Sequence, residues 1–366
     1  MYDIIIAGAG LYGAVFAYEA RKKGYKCLVI EKREHTGGNI YCKDIAGIHV
    51  HYYGAHIFHT GNEKVWNYVN RFIRFNHYIN SPIANYRGDL YNLPFNMNTF
   101  YQLWKVRTPA EASAEINSQR QKHINPDPEN LEEMALSLVG EDVYYKLIKG
   151  YTEKQWGRPA IEIPSFIIKR IPLRFTFNNN YFDDPYQGIP VGGYNCLIDS
   201  LLESTEVRLN TDFLLDKEKY LRQGKLIVYT GEIDRYFDYY LGKLEYRSLR
   251  FEHELLKNEA NFQGNAVINY TEKEVPFTRI LEHKHFEFGQ QTDTVITREY
   301  SEDFEDGRDP YYPINDERNN QLYLQYKKIA DKDSQLHFGG RLGSYRYYNM
   351  DQVIEIALTD IHNLLK

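Results

Sequence analysis

The side chains best suited to chemistry fall into four groups: a spaced glycine triplet, a set of histidines, an aromatic-cationic stretch and two separated arginines. The triplet is Gly8-Ala9-Gly10-Leu11-Tyr12-Gly13. At this spacing the first glycine allows a tight turn, the second lets a pyrophosphate approach bare backbone, and the third lets a helix press on a strand. Unpaired N–H groups and the dipole at the start of that helix attract phosphate. Glu31 follows Gly13 by 18 residues, where an acid would bind a ribose 2′-hydroxyl. The histidines His51, His56 and His59 stand in HYYGAHIFHT. No Cys, Asp or Glu set completes a site around them at readable spacing, so no metal is expected. A histidine there can instead follow the charge of a neighbouring group near neutral pH.

KGYTEKQWGRP, residues 149–159, gathers Tyr151, Trp156, two lysines and an arginine. An aromatic face of this kind can stack on a nucleobase; the competing reading makes Trp156 a core residue. Arg170 in IIKRIPLRF and Arg279 in PFTRILEH each offer a rigid fork of donors and a permanent charge, which suits a diphosphate. Arg174 reads as a surface or ion-pairing residue.

These groups need elements to hold them. DIIIAG reads as a buried parallel strand, Gly13 to Lys23 as a helix and KCLVIEK as a second strand, which makes one βαβ unit. NTFYQLW, TPAEASAEINSQRQK and NLEEMALSLVG read as helices, and Asn130 with Glu133 has capping-box spacing. Residues 162–194 read as strand-like and turn-rich. KLIVYTG is a further buried strand, and NAVINY and HKHFEF alternate as an antiparallel sheet would. YSEDFEDGRDP reads as a solvated acidic loop. LHFGGRLG reads as a strand and glycine turn, and Val353, Ile354, Ala357, Ile361, Leu364 and Leu365 recur at helical spacing.

The chain has 366 residues, enough for two or three domains and a large core. Net charge is −6, so no global basic field draws nucleic acid, and anionic ligands must be met by local arginines. Three scattered cysteines, Cys27, Cys42 and Cys196, suit a reducing compartment. The weakly polar run Ile4–Tyr18 follows Asp3, is broken by glycines and stops at Glu19, so it does not read as a leader or a membrane span. A cytoplasmic protein with no membrane partner is expected. The 33 tyrosines fit packing as well as ring stacking and hydroxyl contacts in sites.

Gly37-Gly38, close after Glu31, resembles the second glycine pair of glutathione-reductase-type flavoproteins, and FGGRLGSY resembles their C-terminal return to the flavin. FAD is favoured over NAD. Over nearly its whole length the chain then resembles the bacterial UDP-galactopyranose mutases. The resemblance rests on GAGLYGAV, HTGGN, YGAHIFHT, YTEKQWGR, NNNYF, GIPVGGY, NAVINY, RILEHKH, PYYP and GRLGSYRYYNMD, in that order. It implies an α/β fold: a Rossmann-like FAD-binding domain of the glutathione-reductase type, an inserted helical domain and an antiparallel β-sheet domain. The implied division is FAD-binding at 1–78, 195–235 and 331–366, sheet at 79–97, 161–194 and 236–330, and helical at 98–160, with a mobile loop near 164–176.

The resemblance further implies an isomerase that interconverts UDP-galactopyranose and UDP-galactofuranose, supplies galactofuranose for surface polysaccharide and works as a homodimer. FAD must be reduced. Its N5 attacks the anomeric carbon, UDP leaves, the sugar ring opens and recloses through O4 instead of O5, and the flavin is released unchanged. Arg170, Arg279 and His59 are implied as catalytic. Asn80, Tyr151, Thr152, Trp156, Tyr181, Phe182, Asn265, Tyr311, Tyr347 and Asn349 are implied to bind substrate with the two arginines. Gly8, Gly10, Leu11, Tyr12, Gly13, Glu31, Lys32, Gly38, Asn39, Tyr53, Gly54, His56, His59, Phe213, Thr230, Gly340, Arg341 and Met350 are implied to hold FAD. Ala55 stands where the family often has proline, and Asn349 where many members carry an acid. Three other readings stay open: a flavin oxidoreductase acting on a nucleotide sugar with net redox chemistry, a mutase that also takes UDP-N-acetylgalactosamine, and a non-catalytic UDP-sugar sensor.

Overall fold

A computed structural model describes residues 1–168 and 172–365. Among these, a five-stranded parallel sheet runs in the order Leu336–Phe338, Gly224–Tyr229, Tyr2–Ala7, Cys27–Ile30, Glu206–Arg208. Its central strands are apolar on both faces because both faces are covered. Ile4, Ile6 and Val29 meet the helices Leu11–Lys22, Asn195–Leu202 and Met350–Leu364 on one side. Ile5, Leu28 and Ile227 meet Phe213, Tyr220 and Tyr236 on the other. Gly10 caps the first helix, and the backbone leaves no room for a side chain at its neighbours. A Cβ on Gly13 would lie 2.0 Å from the Gly8 carbonyl oxygen, and one on Gly8, where φ is +116°, would lie 2.0 Å from Thr230 Oγ1.

The second sheet has seven strands in the order Pro310–Pro313, Tyr246–Leu256, Thr294–Asp303, Arg279–Glu282, Val267–Tyr270, Ile83–Tyr86, Asp89–Asn92. All its neighbours are antiparallel except Val267–Tyr270 beside Ile83–Tyr86. Helices Met97–Trp104, Pro109–Arg120, Leu131–Val139 and Lys149–Trp156 fill the stretch between. The first three start on the side-chain caps of Asn96, Thr108 and Asn130. Asn130 Oδ1 accepts from the Glu133 N–H at 3.0 Å, while Glu133 turns its carboxylate to the Glu129 N–H and the Asn130 amide, so only half of the expected capping box forms.

Helix Lys149–Trp156 is fastened to the turn before Arg279. A Cβ on Gly150 would come 2.4 Å from the Thr271 carbonyl oxygen, so the two backbones touch. Lys154 Nζ donates to three carbonyl oxygens, of Tyr270 at 2.7 Å, Val275 at 3.0 Å and Phe277 at 2.9 Å. Burial pulls the pKa of that ammonium down to about 8.

Two segments differ from the sequence reading. HKHFEF is a 3-10 turn, His283–Glu287, not a strand. His283 and Phe286, three apart, are both buried; a three-residue turn puts them on one side, where an alternating strand would have set them on opposite faces. The described residues within 162–194 contain one short strand, Tyr186–Gly188, paired with Phe58–Thr60. Around it, asparagine side chains take over the backbone's hydrogen bonds, as when Asn178 Oδ1 accepts from the Asn180 N–H at 2.9 Å.

Candidate active site

A cleft of about 540 Å³ opens between the two sheets. One end is built by the parallel sheet. Gly8, Gly10, Leu11, Tyr12 and Gly13 line it, and the second glycine pair packs on the first: the Gly37 N–H donates to the Ala9 carbonyl at 2.8 Å, and a Cβ on Gly38 would sit 3.0 Å from Gly10 Cα. Glu31 is buried and accepts from the backbone N–H groups of Ala9 at 2.8 Å and Arg33 at 2.9 Å. This holds the carboxylate at the strand end while each oxygen keeps a lone pair for a ribose hydroxyl.

Lys32 and Arg33 both reach Asp309, at 3.0 and 2.6 Å, and Arg33 also donates to Asn39 and lies over the Tyr53 ring. Gly54, Phe213, Thr230, Gly340 and Met350 complete this end. Tyr12 contributes its ring, since its hydroxyl is committed to Asp360 at 2.6 Å. His56 also lines the cleft and donates from Nδ1 to the Gly54 carbonyl at 2.7 Å; burial pulls its pKa down to about 4, so the ring is neutral. A bare-backbone cradle beside a helix start, with an acid at the next strand end, fits the diphosphate and ribose of a dinucleotide.

The other end belongs to the antiparallel sheet. Arg279 directs Nε and Nη2 to one oxygen of its cross-strand neighbour Glu299, both at 2.8 Å. Burial works against the Arg279 charge, but the Glu299 carboxylate outweighs it and raises the arginine's pKa well above its usual value. The guanidinium therefore stays charged and keeps N–H groups for a second partner. Tyr151, Tyr181, Tyr311 and Tyr347 line the cleft with it. Arg341 lies 4.3 Å over the Tyr347 ring, and its buried Nε has no protein partner. Asn349 lines the cleft on the exposed residues before the last helix. Asn80 is buried with Oδ1 unpartnered. His59 and Phe182 lie between the two ends; their rings stack at 3.7 Å, and His59 Nδ1 is 2.6 Å from Asp184 Oδ2.

Three of the expected site residues that the structure describes, Thr152, Trp156 and Asn265, are not among the cleft's lining residues. Arg170 lies outside the described residues, as do Lys169 and Ile171 within the expected loop. Trp156 packs on the helical core and borders a separate cavity with Tyr246 and Arg247. The helix explains this: Trp156 is five residues from Tyr151, so the two point about 140° apart. Thr152 is buried on the same helix. Asn265 spends its amide on the carbonyls of Ser81 at 2.9 Å and Val267 at 3.2 Å. In its place Asn269 lines the cleft with Val267, two residues away on one strand face, and its buried Oδ1 is unpartnered. The alternation within NAVINY could have singled out Asn269. Glu299, Tyr312 and Asp184 had no such signal, because their partners are distant in sequence. Arg174 holds the loop before Tyr181, donating to its carbonyl at 3.1 Å and pairing with Asp183 at 2.9 Å. Among the described residues no group of three or more His, Cys, Asp or Glu side chains is placed to hold a metal ion, and no helix is long and apolar enough to cross a membrane.

Comparison with known proteins agrees with this cleft. The UDP-galactopyranose mutase family profile matches residues 146–347, and an NAD(P)-binding Rossmann-like domain matches residues 6–72. The chain is 39% identical, over 97% of its length and 93% of the relative's, to a "Probable UDP-galactopyranose mutase" of Klebsiella pneumoniae. It is 37% identical, over 98% of its length and 97% of the relative's, to dTDP-fucopyranose mutase of Escherichia coli. A crystal structure of reduced UDP-galactopyranose mutase superposes with a TM-score of 0.74 over all of this chain and 96% of that one, at 15% identity, and so shares the fold. With relatives this similar along almost its whole length, the chain belongs to the UDP-galactopyranose mutase family and is an isomerase.

Proposed function

We propose that the protein interconverts the pyranose and furanose forms of UDP-galactose, with FAD bound in reduced form, as a cytoplasmic homodimer that supplies galactofuranose for surface polysaccharide. The observation that carries this reading is the charged Arg279 fork, held by Glu299 among four tyrosines, facing the dinucleotide cradle across one cleft. Gly8, Gly10, Gly13, Gly38 and Glu31 would hold FAD, with Arg341 near its ring or pyrophosphate. When bound and reduced, FAD supplies a nucleophilic nitrogen for the sugar's anomeric carbon. The remaining work falls to this chain's side chains. Arg279, Tyr181, Tyr311 and Tyr347 hold the diphosphate. Negative charge grows on UDP as the glycosidic bond breaks, so a fixed cation there stabilises the transition state more than the ground state. Asn80 and Asn269 offer buried, unpartnered acceptor oxygens, which sugar hydroxyls would satisfy. Arg170, which the family resemblance adds to the diphosphate clamp, completes the proposal.

A second reading is favoured by the Escherichia coli relative: a dTDP-linked 6-deoxy sugar as substrate. The test is to reduce the FAD-loaded protein with dithionite, incubate it with UDP-galactofuranose or dTDP-fucofuranose, and separate the nucleotide sugars by chromatography. Conversion of the UDP sugar with reduced flavin and almost none with oxidised flavin is expected. Preference for the dTDP sugar establishes the second reading. Equal rates in both redox states, or net oxidation of the sugar, overturns both.

A further inference from the structure

We propose that Asp184 is a positioning residue for His59, fixing the imidazole with its proton on Nδ1 so that Nε2 is presented to the cleft as a hydrogen-bond acceptor. Two histidines line the cleft, His56 and His59. His56 gives its Nδ1 proton to a backbone carbonyl, whereas His59 faces a carboxylate. At 2.6 Å, an ionised Asp184 can only accept, so the proton between them resides on Nδ1. In the neutral ring the opposite nitrogen then keeps its lone pair. Left to itself, a neutral imidazole carries its proton mainly on Nε2, so the carboxylate selects the other tautomer.

Orientation is fixed by a second contact. Phe182 lies parallel to the imidazole at 3.7 Å with 11° between planes, which blocks rotation of the His59 ring. Both partners lie just before Tyr186–Gly188, the strand that pairs with the one carrying His59, where His59 stands opposite Gln187. The backbone of Gly61 does not require glycine, and a Cβ there would fall 3.2 Å from Asp184 Oδ1, so a side chain at this position would press on the carboxylate. The arrangement follows the general logic of a reacting histidine oriented by a third group. Its bearing on catalysis rests on the function proposed above; the tautomer does not.

The first test is independent of substrate. The imidazole ¹⁵N shifts of His59 are measured in FAD-loaded, oxidised protein at pH 8, assigned by comparison with His59→Asn. The expected pattern is a protonated Nδ1 and an unprotonated Nε2, shifting toward an Nε2 proton in Asp184→Ala and in Gly61→Val. A wild-type ring already protonated on Nε2, or one unchanged by Asp184→Ala, overturns the proposal. The second test separates positioning from pocket shape. Asp184→Ala should lower kcat roughly tenfold or more while UDP affinity stays within about twofold, and Asp184→Glu should recover part of the loss. A fall in UDP affinity that matches the fall in kcat overturns the catalytic role. If wild type turns over no nucleotide sugar, the proposed function fails while the ¹⁵N result still decides the tautomer.

Discussion

Removing Arg279 should injure the protein in two separable ways. In the structure two of its donors converge on one oxygen of Glu299, which is only 2% exposed and whose other oxygen has no partner. Arg279→Ala leaves that carboxylate buried without a counter-charge, at a cost of ~3–5 kcal/mol of folding stability. On the proposed function it should also remove a charge-assisted hydrogen bond to the diphosphate, worth ~1.5–3 kcal/mol, or about 10- to 150-fold in UDP affinity. Adding Glu299→Gln to the same chain neutralises the stranded charge. The double variant should therefore regain most of the lost stability and none of the lost affinity. Guanidinium unfolding and calorimetric titration with UDP, on FAD-loaded protein at one salt concentration, read the two effects separately. Recovery of UDP binding in the double variant would show that Arg279 shapes the pocket and does not touch the diphosphate. An unchanged stability in Arg279→Ala would show that the pair is solvated and that the electrostatic argument is wrong.

Three further outcomes are expected. Lys154→Met should cost ~1.5–3 kcal/mol, the worth of a charged donor's hydrogen bonds, and Lys154→Arg should not rescue it, because three carbonyls around one ammonium leave no place for a planar fork. Gly150→Ala should lower the melting temperature although alanine favours a helix by about 1 kcal/mol, since the new Cβ meets the Thr271 carbonyl oxygen; a rise in melting temperature would refute the backbone contact. His51 and His283 are buried with pKa values depressed, the latter to about 3, so they stay neutral in the fold while the unfolded chain takes up protons below about 6.5. Their share of stability is thus complete above that value and is lost as pH falls through it, by ~2 kcal/mol for His283 at pH 5. His283→Gln should lose about 2 kcal/mol less than wild type between pH 7.5 and pH 5 in guanidinium unfolding.

What the sequence disclosed depended on how local the physics is. The glycine fingerprint and Glu31 were readable because turn, cradle and strand end lie within one βαβ unit. The cap at Asn130 acts over three residues and was readable for that reason, whereas the caps at Asn96 and Thr108 emerged only in the structure. Pairs across the fold were not. Glu299 looks like any strand glutamate until the hairpin sets it against Arg279, and Asp184 joins His59 across 125 residues. The aromatic stretch misled in a different way. Tyr151 and Trp156 are close in sequence, but the helix turns one to the cleft and the other to the helical core, and Lys154 between them anchors the helix instead of meeting a ligand.

The parallel sheet places residues 2–7 at its centre and residues 336–338 at its edge, and the helix Met350–Leu364 lies on the first helix within one apolar cluster. Translation therefore delivers the nucleotide-gripping turn early and its cover last. While the ribosome is still at work, Ala14 and Phe16 have no Ile354 or Ala357 to lie against, and the Gly8–Thr230 contact has no second half until the middle of the chain has emerged. A nonsense codon within the last helix would yield a polypeptide that contains every fingerprint residue and yet presents a bare apolar flank to chaperones and proteases.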